Sequence, residues 1–423
     1  MHPSAPILLC NADYYGTLAA TRMLGRAGIP VTIASESVMA VARWSRYATR
    51  TAACPSTLSP HFVAWLVNFC AEHPGHVLYP TSDDTTYLFA LHRERLAAHA
   101  KLSLPSTASI MNVLDKKRLY LAAEAAGLRV PETRFPERDS EVEPLAAEIS
   151  GPLLLKARSQ ILYRNRSKGE LSHGAATLLA QYRAFDRSNE YGADLVKHYP
   201  EATRPMLQRY HAESADRIYS LAGYVNKSGD LVAARGSYKV LQRPRKLGIG
   251  LCFESGAVDE SLLSGVRRLC ARTGYHGLFQ IEFVCVGDER LLIDFNPRFY
   301  NQLAFDVARG LELPLIVYNE ALANDAEVDA LVRRSDKPSN ANADAFCNRL
   351  GFELVVSLQR LSGRMPAAEA DAWRTWYADH RDRVVDSTAD REDPIPSFAD
   401  LALQVHDCLR HPRSFVRKVV LNS

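Results

Sequence analysis

Asp294, Asn296 and Arg298 stand at alternate positions in the segment Leu291-Leu-Ile-Asp-Phe-Asn-Pro-Arg-Phe-Tyr300. The apolar start predicts a buried strand, and alternate side chains of a strand share a face. One anion, one amide oxygen and one permanent cation therefore point into one cleft. Burying such groups without partners costs several kcal/mol, so they need a ligand or one another. Oxygen donors beside an arginine suit a magnesium–polyphosphate site. A second strand is predicted just upstream, Gly277–Val286, and the turn Gly287-Asp-Glu-Arg joins the two as an antiparallel hairpin. Glu282 then sits opposite Asp294 as a second carboxylate. The alternative is a cross-strand pair satisfied by nearby arginines. Two facing carboxylates repel unless a cation lies between them, which favours the metal.

The elements that must position these groups follow from periodicity. The first hundred residues alternate strand and helix: Ile7–Cys10, a helix Thr17–Ala27, Val31–Ala34, Val77–Pro80, then a helix Thr85–His99. This is the βαβ rhythm of an open parallel sheet, whose ligands bind beyond the C-terminal strand ends. Those ends carry Asn11, Asp13, Tyr14 and Gly16, then Ser82 and Asp83. Ser82 and Asp83 either contact substrate or cap the next helix. The glycine fingerprint of dinucleotide binding is absent.

A second unit opens at Leu114-Asp-Lys116 with a helix Lys117–Ala126 that stops at Gly127. A strand over 151–156 ends in Lys156, and a basic loop follows with Arg158, Arg164, Arg166 and Lys168. A helix Thr177–Phe185, antiparallel strands Pro205–Tyr210, Arg217–Asn226 and Leu231–Val240, and a helix Asp259–Arg272 lead to the hairpin. Helices Gln302–Arg309 and Leu315–Ala323 close the unit. The tail begins polar at Arg333 as a linker or surface loop and continues as helices. The expected division is an α/β domain over 1–110, a mixed domain over 111–325 with a subdomain at about 120–210, and a mostly helical extension over 326–423.

Composition bounds the partners. The 423 residues are 47% hydrophobic and 23% charged, with a formal net charge of +3. That balance argues against nucleic acid or a membrane as the main partner. No apolar run reaches the roughly 18 residues of a membrane span, and no secretory signal is read at Met1-His-Pro. Eight cysteines are scattered without a Cys-x-x-Cys pair, which predicts no zinc site and a reducing, cytoplasmic setting.

The order Asp115-Lys116, Leu154-Leu-Lys156, Gln208-Arg-Tyr210, Glu282 and Asp294-Phe-Asn-Pro-Arg298 resembles the ATP-grasp superfamily. More closely it resembles the ATP-dependent carboxylate–amine ligases, of the D-amino-acid and peptide ligase kind. Biotin carboxylase and carbamoyl-phosphate synthase are more distant relatives. The resemblance covers roughly residues 5 to 325 and implies an ATP-grasp fold: a Rossmann-like domain, a lid subdomain and, here, a helical C-terminal extension.

The resemblance also implies roles. Lys116 and Lys156 contact the ATP phosphates, where a lysine acts as a compact point charge; otherwise Lys116 is a solvated helix-start residue and Lys156 a strand-end residue pointing to water. The strand Gln208-Arg209-Tyr210 is the adenine-binding hinge, read through its backbone. Glu213 or Asp216 holds the ribose; Glu213 stands where the family has a glycine. Glu282, Asp294 and Asn296 are magnesium ligands, with Mn2+ as a substitute, and Asp294 replaces the commoner glutamate. Arg298 stabilises the transferring phosphoryl group, or instead forms a salt bridge to Asp294 or Asp306. Lys239 brings a cation to the acceptor phosphate, or is an ordinary strand-surface lysine. The basic loop after Lys156 stands where the family has a glycine-rich lid; it closes over phosphates or is merely solvated. Asp13, Tyr14, Ser82 and Asp83 are weaker substrate candidates.

The implied reaction is activation of a carboxylate as an acyl phosphate and its capture by an amine, with release of ADP and phosphate. The expected partners are small carboxylates and amines, such as amino acids or small peptides, and a homodimer is compatible with the reading. The rivals are an ATP-grasp kinase, a carboxylase acting through carboxyphosphate, and a non-catalytic nucleotide-binding module.

Overall fold

The computed structural model describes residues 4–165, 167–212, 217–230, 232–245, 247–335 and 343–420. The first layer contains β1 (Ile7–Leu9), α1 (Tyr15–Arg26), β2 (Val31–Ser35), β3 (Ala48–Ala53), α2 (Phe62–Glu72), β4 (Val77–Leu78), α3 (Asp83–Leu91), α4 (Arg93–Ala97) and α5 (Thr107–Leu114). Its four strands are all parallel, in the order β3-β2-β1-β4. Ile7, Leu8, Leu9, Val31 and Ile33 are fully buried, as befits central strands covered on both faces. One helix was expected over Thr85–His99, and two form. Ser82 starts α3 early through a capping box with Thr85, and the chain breaks at His92.

The second layer contains α6 (Lys116–Ala125), β5 (Thr133–Arg134), α7 (Val142–Ala147), β6 (Leu153–Ala157), β7 (Glu170–Leu171), α8 (Leu178–Ser188), α9 (Ala193–His198) and β8 (Pro205–Arg209). Its antiparallel sheet runs β5-β8-β6-β7. It has a core of its own, in which Leu155 and Leu207 meet Val142, Leu178, Tyr182 and Phe185.

The third layer contains β9 (Ile218–Val225), β10 (Val232–Arg243), β11 (Ile249–Gly256), α10 (Glu260–Thr273), β12 (Gly277–Val286), β13 (Glu289–Asn296), α11 (Leu303–Ala308), α12 (Leu313–Ala321) and α13 (Asp325–Ser335). The tail adds β14 (Ala345–Cys347), α14 (Arg349–Leu361), α15 (Ala367–His380), β15 (Val384–Asp386) and α16 (Ile395–Arg410). The large sheet runs β13-β12-β9-β10-β11-β14-β15 and is antiparallel except between its last two strands. Arg333 and Arg334, expected in a linker, lie in the last turn of α13. The tail is mostly helical, and two of its strands extend the central sheet. Each is only three residues long, too short for a period-2 signal to emerge from sequence.

An ionic clamp ties the tail to the first layer. The Arg22 Nε of α1 donates to Asp393 Oδ2 at 2.9 Å, and its Nη2 donates to the Thr388 carbonyl at 2.7 Å. Ser45 Oγ and the Arg46 amide donate to the same Asp393 carboxylate at 2.7 and 2.8 Å. Asp393 lies just ahead of α16 and sets where that helix begins its path across the molecule.

Candidate active site

The ends of β1 and β4 form one wall of the site. Asn11 has φ +50°, a left-handed conformation that asparagine tolerates better than most residues. Its Oδ1 accepts from Thr81 Oγ1 at 3.1 Å and Ser82 Oγ at 2.9 Å, stitching the two strand ends together. Asn11 therefore serves the scaffold and does not line the cavity. Gly16 also stands outside the cavity lining. A Cβ there would lie 2.4 Å from the Tyr300 carbonyl oxygen, so glycine lets α1 press against the chain just past Arg298.

The hairpin β12–β13 forms the second wall. Its register sets Glu282 opposite Asp294 and Gln280 opposite Asn296. Asn296 Nδ2 donates to Gln280 Oε1 at 2.5 Å, which turns Asn296 Oδ1 towards Arg298 Nη2 at 2.7 Å. Arg298 Nε donates to Asp83 Oδ1 at 2.9 Å. Its carboxylate partner is thus Asp83 of α3, not Asp294 or Asp306. Asp306 is occupied by Arg309 and by the Tyr300 hydroxyl. Ser82 turns inward as a cap, its Oγ accepting from the Thr85 amide at 3.1 Å, whereas Asp83 reaches across to the second wall.

Lysines come from the second layer and from the hairpin's own sheet. Asp115 caps α6 by accepting from the Arg118 amide at 2.9 Å, and Lys116, the first residue of that helix, pairs with Asp294. Lys239 on β10 donates to Glu282 Oε2 at 3.1 Å. Glu282 and Asp294 therefore each face a lysine, where arginines were the expected alternative. Burial opposes the charge on Asp294, but Lys116, Lys168 and Lys156 override it and hold the carboxyl well below its usual range. Lys156 on β6 responds the opposite way. Burial, then repulsion from Lys116, lowers it to about 8.

These groups line one cavity of about 490 Å3. Glu282, Asp294, Asn296, Arg298, Lys116, Lys156, Lys239, Gln208, Arg209, Tyr210, Asp13, Tyr14, Ser82 and Asp83 all border it. Glu213, Asp216 and Arg166 lie outside the described residues. The basic loop behaves differently from expectation. Arg158 turns into the core, where its Nε donates to Asp115 Oδ2 at 2.7 Å, and Arg164 lies near Glu190. Of the described loop cations only Lys168 borders the cavity. A buried aspartate captures the first arginine, and no phosphate is needed to hold it.

Along the hinge strand, the side chain of Gln208 is scaffold, its Nε2 donating to Tyr120 OH at 2.9 Å and Thr133 Oγ1 at 3.1 Å. The Arg209 and Tyr210 amides donate to the carbonyls of Glu132 and Pro152, both at 2.8 Å. The donors of these two residues are thus committed, which narrows the adenine-reading expectation to the remaining backbone groups.

Sequence reading missed Gln280, Arg243, Asn348, Asp400 and Gln404 on the cavity wall. Gln280 carried a signal, since it shares a strand face with Glu282. The tail residues carried none. Glu282 and Asp294 with Asn296 are hard oxygen donors converging beside lysines, a donor set that fits magnesium. Among the described residues, no group of three or more His, Cys, Asp and Glu side chains forms a metal site of protein ligands alone. A cation here would share its shell with phosphate oxygens and water.

Solved structures with a similar fold include biotin carboxylase from Campylobacter jejuni, 16% identical, TM-score 0.59, over 74% of this chain and 70% of that one. The biotin carboxylase domain of Hydrogenobacter thermophilus 2-oxoglutarate carboxylase, solved with MgADP and bicarbonate, is 15% identical, TM-score 0.58, over 80% of this chain and 71% of that one. N5-carboxyaminoimidazole ribonucleotide synthetase from Thermus thermophilus is 15% identical, TM-score 0.55, over 75% of this chain and 78% of that one. No protein-family model and no curated protein matches the sequence. With its parallel N-terminal layer, its small antiparallel layer and its large sheet meeting at one polar cavity, the chain has the ATP-grasp fold.

Proposed function

We propose that the protein is an ATP- and magnesium-dependent ligase that activates a carboxylate as an acyl phosphate and joins it to an amine. The observation that carries this reading is one group within the cavity: Glu282, Asp294 and the Asn296 amide oxygen share it with Lys116, Lys156, Lys168, Lys239 and Arg298. Such a set suits a triphosphate and its divalent ion better than any neutral ligand. Glu282, Asp294 and Asn296 would hold magnesium, which when bound neutralises β- and γ-phosphate charge. Lys116 and Lys156 would bind the phosphates, and the 208–211 segment would border the adenine.

The reaction then follows from positioning and charge. A substrate carboxylate oxygen attacks the γ-phosphorus, and ADP leaves. Arg298 and Lys239 spread the charge on the transferring group. Held by Asp83 and Asn296, the Arg298 guanidinium is already oriented, so little reorganisation accompanies transfer. The amine then attacks the acyl carbon, phosphate departs with the C–O electron pair, and the amine's proton passes to solvent or phosphate. No protein nucleophile is required.

The test is ADP release with magnesium-ATP and amino acids offered in pairs, with products identified by mass spectrometry. An amide plus phosphate supports the ligase, and a stable phosphoester indicates a kinase. A carboxylase reading draws support from the biotin carboxylases among the similar structures. It predicts bicarbonate-dependent ADP release without any second carboxylate.

A further inference from the structure

The tail helix α16 places Asp400, Leu403 and Gln404 on the cavity wall. Nothing in phosphate chemistry asks for an acid here. Asp400 is 1% exposed. Its Oδ1 accepts from Tyr15 OH at 3.1 Å, and its Oδ2 is buried without a hydrogen-bond partner. The opposing cation is Arg243 at the end of β10, whose Nη1 is also buried without a partner. The two are too far apart to form a salt bridge, yet both line the cavity and the Arg243 charge acts on Asp400. The next arginine along, Arg245, is taken by Glu369 of α15.

An open carboxylate oxygen and an open guanidinium nitrogen, both withdrawn from water, are unfavourable unless ligand groups complete them. Their charges specify the ligand: a cation for Asp400 and a planar anion for Arg243, where a carboxylate suits the guanidinium. Leu403 beside them supplies an apolar wall. Burial raises the Asp400 carboxyl above its usual range, while the Tyr15 hydroxyl, the Gln404 amide and Arg243 pull it back down. An arriving ammonium would pull in the same direction.

We infer that α16 and Arg243 form the seat of a zwitterionic amino-acid substrate, with its ammonium on Asp400 Oδ2 and its carboxylate on Arg243. This deepens the ligase reading and rests on it for the reaction. The seat itself is a binding site that stands or falls separately. It also gives the C-terminal extension a role, since the acidic half of the seat is carried by the tail.

The test is a titration of the full chain with magnesium and a non-hydrolysable ATP analogue present. The probes are the proteinogenic amino acids, their des-amino carboxylic acid counterparts and their carboxamides, followed by calorimetry. At least one amino acid is expected to bind about tenfold or more tightly than its des-amino counterpart. Asp400→Asn should erase that preference while leaving affinity for the ATP analogue unchanged. Arg243→Gln should erase the preference for the amino acid over its amide. Equal binding of amino and des-amino forms to the unaltered protein overturns the proposal without relying on any variant, as does binding by no amino acid. A preference that survives Asp400→Asn overturns it too. If amino acids bind as expected but no ADP is released, the ligase reading fails and the seat stands.

Discussion

Lys156 and Asp294 sit in the same pocket and are pushed in opposite directions from their usual ranges. Lys156 is lowered to about 8 by burial and by Lys116, so it is cationic below that pH and neutral above it. A triphosphate favours the cation and therefore raises this pKa on binding. ATP affinity is expected to fall as pH rises from 7 to 9. Near pH 8 binding should take up a proton, measurable by calorimetry in buffers of different ionisation heat. Lys156→Met should abolish the uptake; an uptake that persists removes Lys156 from the phosphate site. Asp294 is held ionised by its lysines, so Asp294→Asn removes a full charge from the proposed metal site. Turnover should fall by about 100-fold or more while the melting temperature stays near that of the parent protein. ADP release at the parental rate would refute the assignment.

Elements position these residues through a few close contacts. Where α1 meets the chain after β13, the Cβ introduced by Gly16→Ala would stand 2.4 Å from the Tyr300 carbonyl oxygen. Forcing the two apart should cost about 1–3 kcal/mol and displace Arg298 relative to Asp83. The expected readout is a lower unfolding midpoint together with slower turnover; an unchanged midpoint contradicts the contact. The Asp393 clamp is the second such junction. Asp393→Ala leaves Arg22 buried with its principal charge partner gone, which typically costs about 3–5 kcal/mol. Chemical denaturation should show the loss, and protease cleavage near 388–395 should quicken.

At the scale of the molecule, three sheets converge on one cavity, so a ligand there touches all of them. Saturating magnesium-ATP should therefore raise the unfolding temperature. At about 100 times its dissociation constant the linkage is about 2.7 kcal/mol. Chelating the magnesium should remove most of the shift, because the hairpin carboxylates would then face bare phosphates. An equal shift with and without magnesium would argue against Glu282 and Asp294 as its ligands. Among the described residues no helix is long and apolar enough to cross a membrane.

The hairpin was legible because it is local. A period-2 apolar pattern and a short turn suffice to bring Glu282 opposite Asp294 and to put Asn296 on the same face. The βαβ rhythm of the first layer was legible for the same reason, as were the helix start at Asp115 and the lysines beside it. What the sequence could not disclose is which distant charges meet. Arg298 finds Asp83 rather than Asp306, and Arg158 is drawn to Asp115 rather than to the cavity. Asp400 reaches the site from a helix whose pattern signals only amphipathicity. Local periodicity reports which face a residue occupies. The choice of partner is settled by tertiary packing, which withdraws some charges from water and leaves each to be satisfied by whatever the fold brings within a few ångströms.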